Sequence, residues 1–189
     1  MADLADRLSV FEPELWPSAA RAAVKLGPAG GFTRLSPLFA GESDAESDPK
    51  IEAALAALEP GADPRWFEFL LAKSRGRPCL ETALAIDGLA KLGDRRAIPA
   101  LVALLPHAPD RIAHRIIFAL AAFRDPRTCR PILARCGDTI LLMLAASAAM
   151  HCIGRPALPA LRRAAKSARG PTKRLLSGLI KDISSASSA

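Results

Sequence analysis

Apolar residues recur at a period near 31 residues along most of this chain, and this period restricts the fold more than any other feature. Between residues 86 and 105, Leu89 and Leu92 close one helix, Gly93 and Asp94 form a turn, and a second helix follows. That second helix has apolar residues at positions i, i+3, i+4 and i+7, namely Ile98, Leu101, Val102 and Leu105. A repeated pair of amphipathic helices at this period indicates stacked helical hairpins.

The apolar stripe of the second helix recurs in both directions along the sequence. At a shift of 31 residues its positions are filled by Cys129, Ile132, Leu133 and Cys136 downstream and by Phe67, Leu70, Leu71 and Ser74 upstream. We call helices with this stripe A helices and the helices that follow them B helices. The core residues of each B helix lie 11, 7, 4 and 3 positions before a closing apolar residue, for example Ile112 and Ile116 before Phe123. The closing residues are Leu26, Leu58, Leu92, Phe123, Ile153 and Ile183. Two registers that repeat together predict a regular array.

The segments LAKLGDRRAIPALVALL and CIGRPALPALRRAA resemble HEAT-type repeats, in particular the short HEAT-like class first described in phycobilisome lyases. The resemblance extends over roughly residues 18–183. It implies an all-α, right-handed α-solenoid of about five hairpins, with the A helices on the convex side and the B helices on the concave side. Members of this class serve as scaffolds, inhibitors, enzymes and nucleic-acid binders, so the resemblance specifies a fold more than a function.

The sequence predicts one HEAT-like domain over residues 1–183, with an acidic loop inserted at 41–49 and a disordered tail at 184–189. The chain has no apolar run of the ~18 residues that a membrane span requires, and its first residues lack a basic-then-apolar signal. We therefore expect a cytoplasmic protein with no membrane contact. The four cysteines are predicted to be reduced and buried; they are Cys79, Cys129, Cys136 and Cys152.

Charge is distributed unevenly along the chain. Residues 1–63 carry 11 acidic and 5 basic residues, whereas residues 155–189 carry 8 basic residues and one acidic residue. We predict that the cationic end steers a partner electrostatically through Arg162, Arg163, Lys166, Arg169, Lys173 and Arg174. The partner would be an acidic protein or a phosphate backbone, and the alternative is a solvated end cap. Aromatic residues for base stacking are missing from this end.

A predicted cationic and aromatic patch lies on the B helix that begins near residue 110. Phe118 lies opposite the apolar stripe of this helix, and Arg111, His114 and Arg115 precede it on the same side. These residues are therefore predicted to face a partner, although Phe118 would instead pack against a neighbouring B helix if the helices approach closely.

The two adjacent B helices complete the predicted binding site. The helix near residues 139–153 is apolar on all sides, and its outer positions Leu141, Leu144, Ala145 and Ala148 are either buried between repeats, the more common case, or available for docking. The preceding B helix contributes Asp87 and Lys91 at its outward positions. The complete predicted partner-binding set is Arg111, His114, Arg115, Phe118, Asp87, Lys91, Leu141 and Leu144.

Catalytic, cofactor and metal-binding patterns are mostly absent from the sequence. No glycine-rich phosphate loop, nucleophile elbow or spaced cysteine pair occurs. His151 beside Cys152 and the lone carboxylate Asp87 are the nearest approaches to a catalytic group, and the latter resembles the aspartate of HEAT-like alkylpurine DNA glycosylases. We therefore predict no cofactor and a non-catalytic module that holds a protein partner on its concave face, as an adaptor, scaffold or cognate inhibitor such as an immunity protein. The alternatives are a nucleic-acid binder that uses the basic C-terminal half and, third, a lyase- or glycosylase-type enzyme. No oligomeric state is predicted.

Overall fold

The fold is helical throughout the part of the chain that the computed structural model describes, which comprises residues 64–77 and 80–185. Helices account for 83% of these residues, and no strand occurs among them. This content confirms the predicted all-α class.

Eight α-helices follow one another in the described residues. They are α1 (Pro64–Ser74), α2 (Leu80–Leu92), α3 (Ala97–Leu104), α4 (Asp110–Ala122), α5 (Cys129–Ala134), α6 (Ile140–Ile153), α7 (Leu158–Ser167) and α8 (Gly170–Ser185). Odd-numbered helices hold the predicted A stripes, and even-numbered helices hold the B register. Helix α8 continues two residues past the predicted end at Ile183. The acidic loop at 41–49 and residues 186–189 lie outside the described part.

The chain divides into two compact units after Asp94. In the first unit α1 packs against α2. In the second unit the B helices pack in sequence, α4 against α6 and α6 against α8, while α3 contacts α4, α5 contacts α7, and α7 packs against α8. The prediction of a single domain over residues 1–183 remains a prediction.

The predicted apolar stripes supply most of the core. Leu101 and Leu105 are fully buried, and the residues at the corresponding positions 31 residues later, Ile132 and Cys136, are buried as well. Val102 and Leu133, at the third position of the stripe, are only half-buried. Along α6 the whole predicted register is buried, from Leu142 to Ile153.

Helix α4 differs in one respect from its predicted register. Ile112 was expected in the core but is half-buried, whereas Ile117, which lies outside the register, is fully buried. Because α4 contacts both α3 and α6, its buried side extends over more than half of its circumference. A single stripe therefore underestimates the core of a helix that has neighbours on two sides.

The turn that follows a B helix repeats in conformation as well as in sequence. The residue after each closing position adopts a positive φ, with values of 67° at Gly93, 50° at Arg124 and 74° at Gly154. A left-handed residue at this position ends an α-helix by reversing the direction of the backbone. These three positions are 31 and 30 residues apart, in agreement with the sequence period.

Gly154→Ala is expected to lower the free energy of unfolding by about 1 to 3 kcal/mol. The reason is backbone conformation alone: φ 74° and ψ −145° are poorly accessible to an L-residue, yet an added Cβ would approach no atom closer than 4.0 Å. Arg124→Gly is the matched control, because relief of the left-handed strain and the added chain entropy of glycine oppose each other there. We expect it to change stability by less than about 1 kcal/mol in urea unfolding. A Gly154→Ala protein as stable as the wild type would contradict this account.

A buried carboxylate begins the turn before α5. Asp125 is 3% exposed, and its Oδ1 accepts a hydrogen bond from the backbone N–H of Arg127 at 2.9 Å. The Arg127 guanidinium also donates to Asp125, with an Nη2–Oδ2 distance of 2.7 Å. The side-chain hydrogen bond from Arg127, followed by its backbone hydrogen bond, lowers the pKa of Asp125 to about 2.

Asp125→Asn is expected to destabilise the fold at pH 7 by roughly 1 to 2 kcal/mol, a range reduced to allow for the solvent exposure of the Arg127 guanidinium. The pKa of Asp125 is lower in the folded state than the ordinary value of 3.8. Its stabilising contribution is therefore present above about pH 4 and is lost as the pH falls towards 2. Urea unfolding between pH 7 and pH 2.5 should show the two proteins converging in acid. Asp182→Asn, the same change at an exposed carboxylate of α8, should alter stability at pH 7 by less than about 0.5 kcal/mol.

A single arginine connects the ends of two successive A helices. Arg135, with 15% of its side chain exposed, donates from Nη1 to the carbonyl oxygens of Leu105 at 2.5 Å and Ala108 at 3.1 Å. Its Nη2 lies 3.3 Å from Oδ1 of Asp110, and its Nε pairs with Asp138. The loop before α4 is therefore held by the residue that ends α5.

Candidate partner-binding surface on the B helices

Helix α4 presents a narrow exposed stripe. Arg111, Arg115, Phe118 and Ala122 are exposed, and at 100° per residue they fall within about 60° of one another on the helix. Phe118 is 43% exposed, which confirms its predicted outward orientation and argues against the packed alternative. The half-buried His114 ring contacts the Phe118 ring edge-on, with a centroid distance of 4.8 Å and an interplanar angle of 64°.

Helix α6 presents an apolar stripe to solvent. Leu141 is 40% exposed and Leu144 60%, and Ala148 is exposed as well, whereas Ala145 is buried. Burial between repeats, the interpretation favoured for this outer face, is therefore wrong for these three residues and correct for Ala145. The physical reason is that α6 contacts α4 and α8 without being enclosed by them.

Sequence reasoning missed Ile140, which is the most exposed of the large apolar residues described, at 73%. It occupies the first position of α6, directly after Thr139, whose hydroxyl oxygen accepts a hydrogen bond from the backbone N–H of Leu142 at 3.3 Å. Threonine is a common N-cap residue, so Thr139 in the sequence could have indicated that Ile140 lies in the first turn of a helix.

The exposed stripes of α4 and α6 lie on one face of the second unit. The two helices pack together. When their closing residues Phe123 and Ile153 are aligned, Arg111 and Leu141 occupy equivalent positions, and so do Phe118 and Ala148. In the described residues the large exposed hydrophobic side chains all belong to these two helices. We call this area the α4–α6 surface; it comprises Arg111, His114, Arg115, Phe118, Ile140, Leu141, Leu144 and Ala148. Concentration of apolar area beside arginines is typical of protein-interaction sites.

The other two predicted partner-binding residues belong to α2 in the first unit. Lys91 is exposed and Asp87 is half-buried on that helix. Their place beside the α4–α6 surface remains a prediction.

The predicted steering residues come together on the last hairpin. Helix α7 holds Arg162, Arg163 and Lys166, the connection holds Arg169, and α8 holds Lys173 and Arg174. All six are exposed, and within the described chain none forms an ion pair with a carboxylate. Because α7 packs against α8, these charges reinforce one another.

The described cysteines fall into two classes. Cys129 and Cys136 are buried, as predicted, and desolvation raises the pKa of Cys129 to about 11 and also raises that of Cys136. Cys152 is exposed, so its predicted burial is wrong. It lies eleven positions after Leu141, close to three full turns, and therefore shares the exposed stripe of α6. Cys79 lies outside the described residues.

No metal centre occurs within residues 64–77 and 80–185, where no three His, Cys, Asp or Glu side chains come together to hold an ion. The Nδ1 atom of His151 lies 3.0 Å from the carbonyl oxygen of Ser147, so its hydrogen bond is with the backbone of α6.

The helix pairs, their repeated left-handed turns and the 31-residue period define a protein built from helical-hairpin repeats. More particularly, residues 83–105 match the sequence model of the PBS lyase HEAT-like repeat. The match includes most of α2, the turn at Gly93 and the whole of α3, and it confirms the resemblance predicted for this segment. HEAT-like repeats generally mediate protein interactions. No curated protein sequence matches the chain.

No single helix in the described part of the chain is long and apolar enough to cross a membrane. The segments Ile140–Ile153 and Arg155–Ser167 are together long and apolar enough for a membrane span, but the chain bends by 120° between them.

Proposed function

We propose that this protein is a non-catalytic HEAT-like binding module that holds a protein partner on the face formed by its B helices. The complete chain forms a right-handed α-solenoid of about five hairpins with this face on the concave side, and it acts in the cytoplasm as an adaptor, scaffold or cognate inhibitor of the immunity-protein kind. One observation carries the proposal: the large exposed hydrophobic residues of the described chain are confined to α4 and α6, beside Arg111 and Arg115.

The geometry of Phe118 suits an interface anchor. Its ring is exposed enough to enter a partner, yet contact with the His114 ring restricts its orientation before binding. A side chain that is already oriented loses less conformational entropy when a complex forms. Aromatic and arginine side chains are also the types that most often dominate binding energy at protein interfaces.

The protonation of the buried cysteine thiols and the orientation of the exposed one support the proposal that the protein is not a catalyst. The raised pKa of Cys129 and of Cys136 keeps these buried thiols protonated at neutral pH, which is unfavourable for nucleophilic attack. The exposed Cys152 and its neighbour His151 point about 100° apart on α6.

Affinity capture with the full-length protein tests the proposal. We expect one protein to co-purify at fixed stoichiometry from the source cell and to be lost when Leu144→Glu places a charge at the centre of the α4–α6 surface. Arg163→Glu on α7 is the matched surface control and should retain the partner. Capture of nucleic acid instead, with an affinity that falls steeply with salt, would replace this proposal with the nucleic-acid alternative.

A further inference from the structure

The face formed by the B helices continues beyond α6 onto α8. Its exposed side chains change from apolar on α6 to basic on α8. Helix α6 packs against α8, and alignment of their closing residues Ile153 and Ile183 places Arg174 at the position of Leu144. The same shift places Lys181 at the position of His151. Arg174 and Lys181 are exposed, two turns apart on one side of α8.

Contacts at the turns show that the B helices begin along a common edge. Arg135 holds the loop before α4 to the residues before α6, through the Leu105 carbonyl oxygen and Asp138. On the other side, a Cβ added to Gly137 would lie 3.9 Å from the hydroxyl oxygen of Thr172, in the first turn of α8. The first turns of α4, α6 and α8 are therefore neighbours in that order.

The resulting face has an apolar centre between two cationic edges. Helix α6 contains no charged residue over its 14 positions and exposes Leu141 and Leu144 at the centre. Arg111 and Arg115 are exposed on α4 at one edge, and Arg174 and Lys181 are exposed on α8 at the other.

Each of these two helices carries one carboxylate. On α4 it is Asp110, which pairs with Arg135, and on α8 it is Asp182. Arg111 at one edge, and Arg174 and Lys181 at the other, therefore offer positive charge to a partner.

From this order of chemistry we infer that the partner presents an acidic amphipathic helix, which lies across α4, α6 and α8. Its apolar side contacts Phe118, Leu141 and Leu144, and its acidic residues reach Arg111 at one edge and Arg174 and Lys181 at the other. Helices that dock on helical surfaces use apolar anchors at i, i+3, i+4 and i+7, with charges beside them. The inference rests on the proposed function and adds the chemical class of the partner and the participation of α8.

A synthetic peptide tests this inference with the full-length protein. The probe is a fluorescein-labelled 18-residue peptide of leucine, alanine and glutamate with leucine at helical spacing, and its binding is followed by fluorescence anisotropy. We expect it to bind at least tenfold more tightly than a scrambled peptide of equal composition and than a version with lysine in place of glutamate. Leu144→Glu and the double variant Arg174→Glu with Lys181→Glu should each weaken binding at least tenfold. The control Arg130→Glu with Arg155→Glu, an equal charge change outside the α4–α6 surface and the steering residues, should change it less than threefold.

Two outcomes would overturn the inference. If the scrambled peptide bound as tightly as the probe, the face would recognise negative charge alone. The same conclusion would follow if a 20-base-pair DNA duplex bound as tightly and Leu144→Glu did not change its affinity. An unaltered affinity in the Arg174→Glu and Lys181→Glu variant would remove α8 from the site. In that last case the proposed function would still stand if a captured protein partner depended on Arg115 and Phe118. Circular dichroism of every variant establishes that a loss of binding is not a loss of fold.

Discussion

Leu101→Ala should lower the free energy of unfolding by about 2 to 5 kcal/mol. Leu101 is fully buried at the second position of the A stripe on α3, so its truncation removes apolar contacts and leaves a cavity that the surrounding helices fill only in part. The measurement is urea unfolding followed by circular dichroism at 222 nm, with the slope of the transition compared between variants.

The matched control for this effect lies on the same helix. Leu104→Ala makes the same chemical change at a half-buried position of α3, and it should cost about 1 kcal/mol or less. If Leu101→Ala cost under about 0.5 kcal/mol, as substitutions at ordinary surface sites do, the A register would be wrong.

The double variant Arg115→Ala with Phe118→Ala should weaken partner binding by about 2 kcal/mol or more, close to thirtyfold in affinity. Both residues are exposed on α4, so the fold should survive the change. The ring contact between Phe118 and His114 is lost in this variant, and such a pair contributes about 1 kcal/mol to stability. Titration calorimetry with the captured partner, together with thermal unfolding of the free variant, separates the two effects.

A charge-only control distinguishes anchoring from steering. Arg163→Ala with Lys166→Ala, on α7, should mainly slow association and reduce its dependence on salt, while the dissociation rate stays near that of the wild type. The opposite pattern, with the α7 residues essential and the Arg115 and Phe118 variant binding normally, would move the site to the cationic end of the chain.

The sequence predicted the helices and most of their buried stripes because both depend on local periodicity. Leu101, Ile132 and Leu142 are buried where the two registers place them, and Phe118 is exposed where the helical wheel places it. The prediction failed for Ile117, which lies outside the B register but is buried. Local periodicity identifies one buried side of a helix, and it does not report how many neighbours the helix has.

The polar interactions depend on contacts between distant parts of the sequence and were not predicted. Arg135 lies 30 positions after Leu105, whose carbonyl oxygen it binds, and no periodic pattern distinguishes it from the exposed arginines. The Asp125 and Arg127 pair is close in sequence, yet its burial depends on the packing around the turn before α5. The exposed leucines of α6 likewise depend on how far its neighbours enclose it, so composition alone favoured the wrong interpretation.

Because of the Arg135 contacts, a single helical hairpin is not a self-contained segment of this chain. A protein cut after Ala122 would retain both helices of a hairpin but would leave the carbonyl oxygens of Leu105 and Ala108 without the guanidinium that binds them. A cut after Asp138 would preserve those bonds and the pairs with both carboxylates. A shortened version of this chain should therefore end in the A-to-B loop after α5 and not at the end of the preceding hairpin, so that it keeps the arginine that binds the loop before α4.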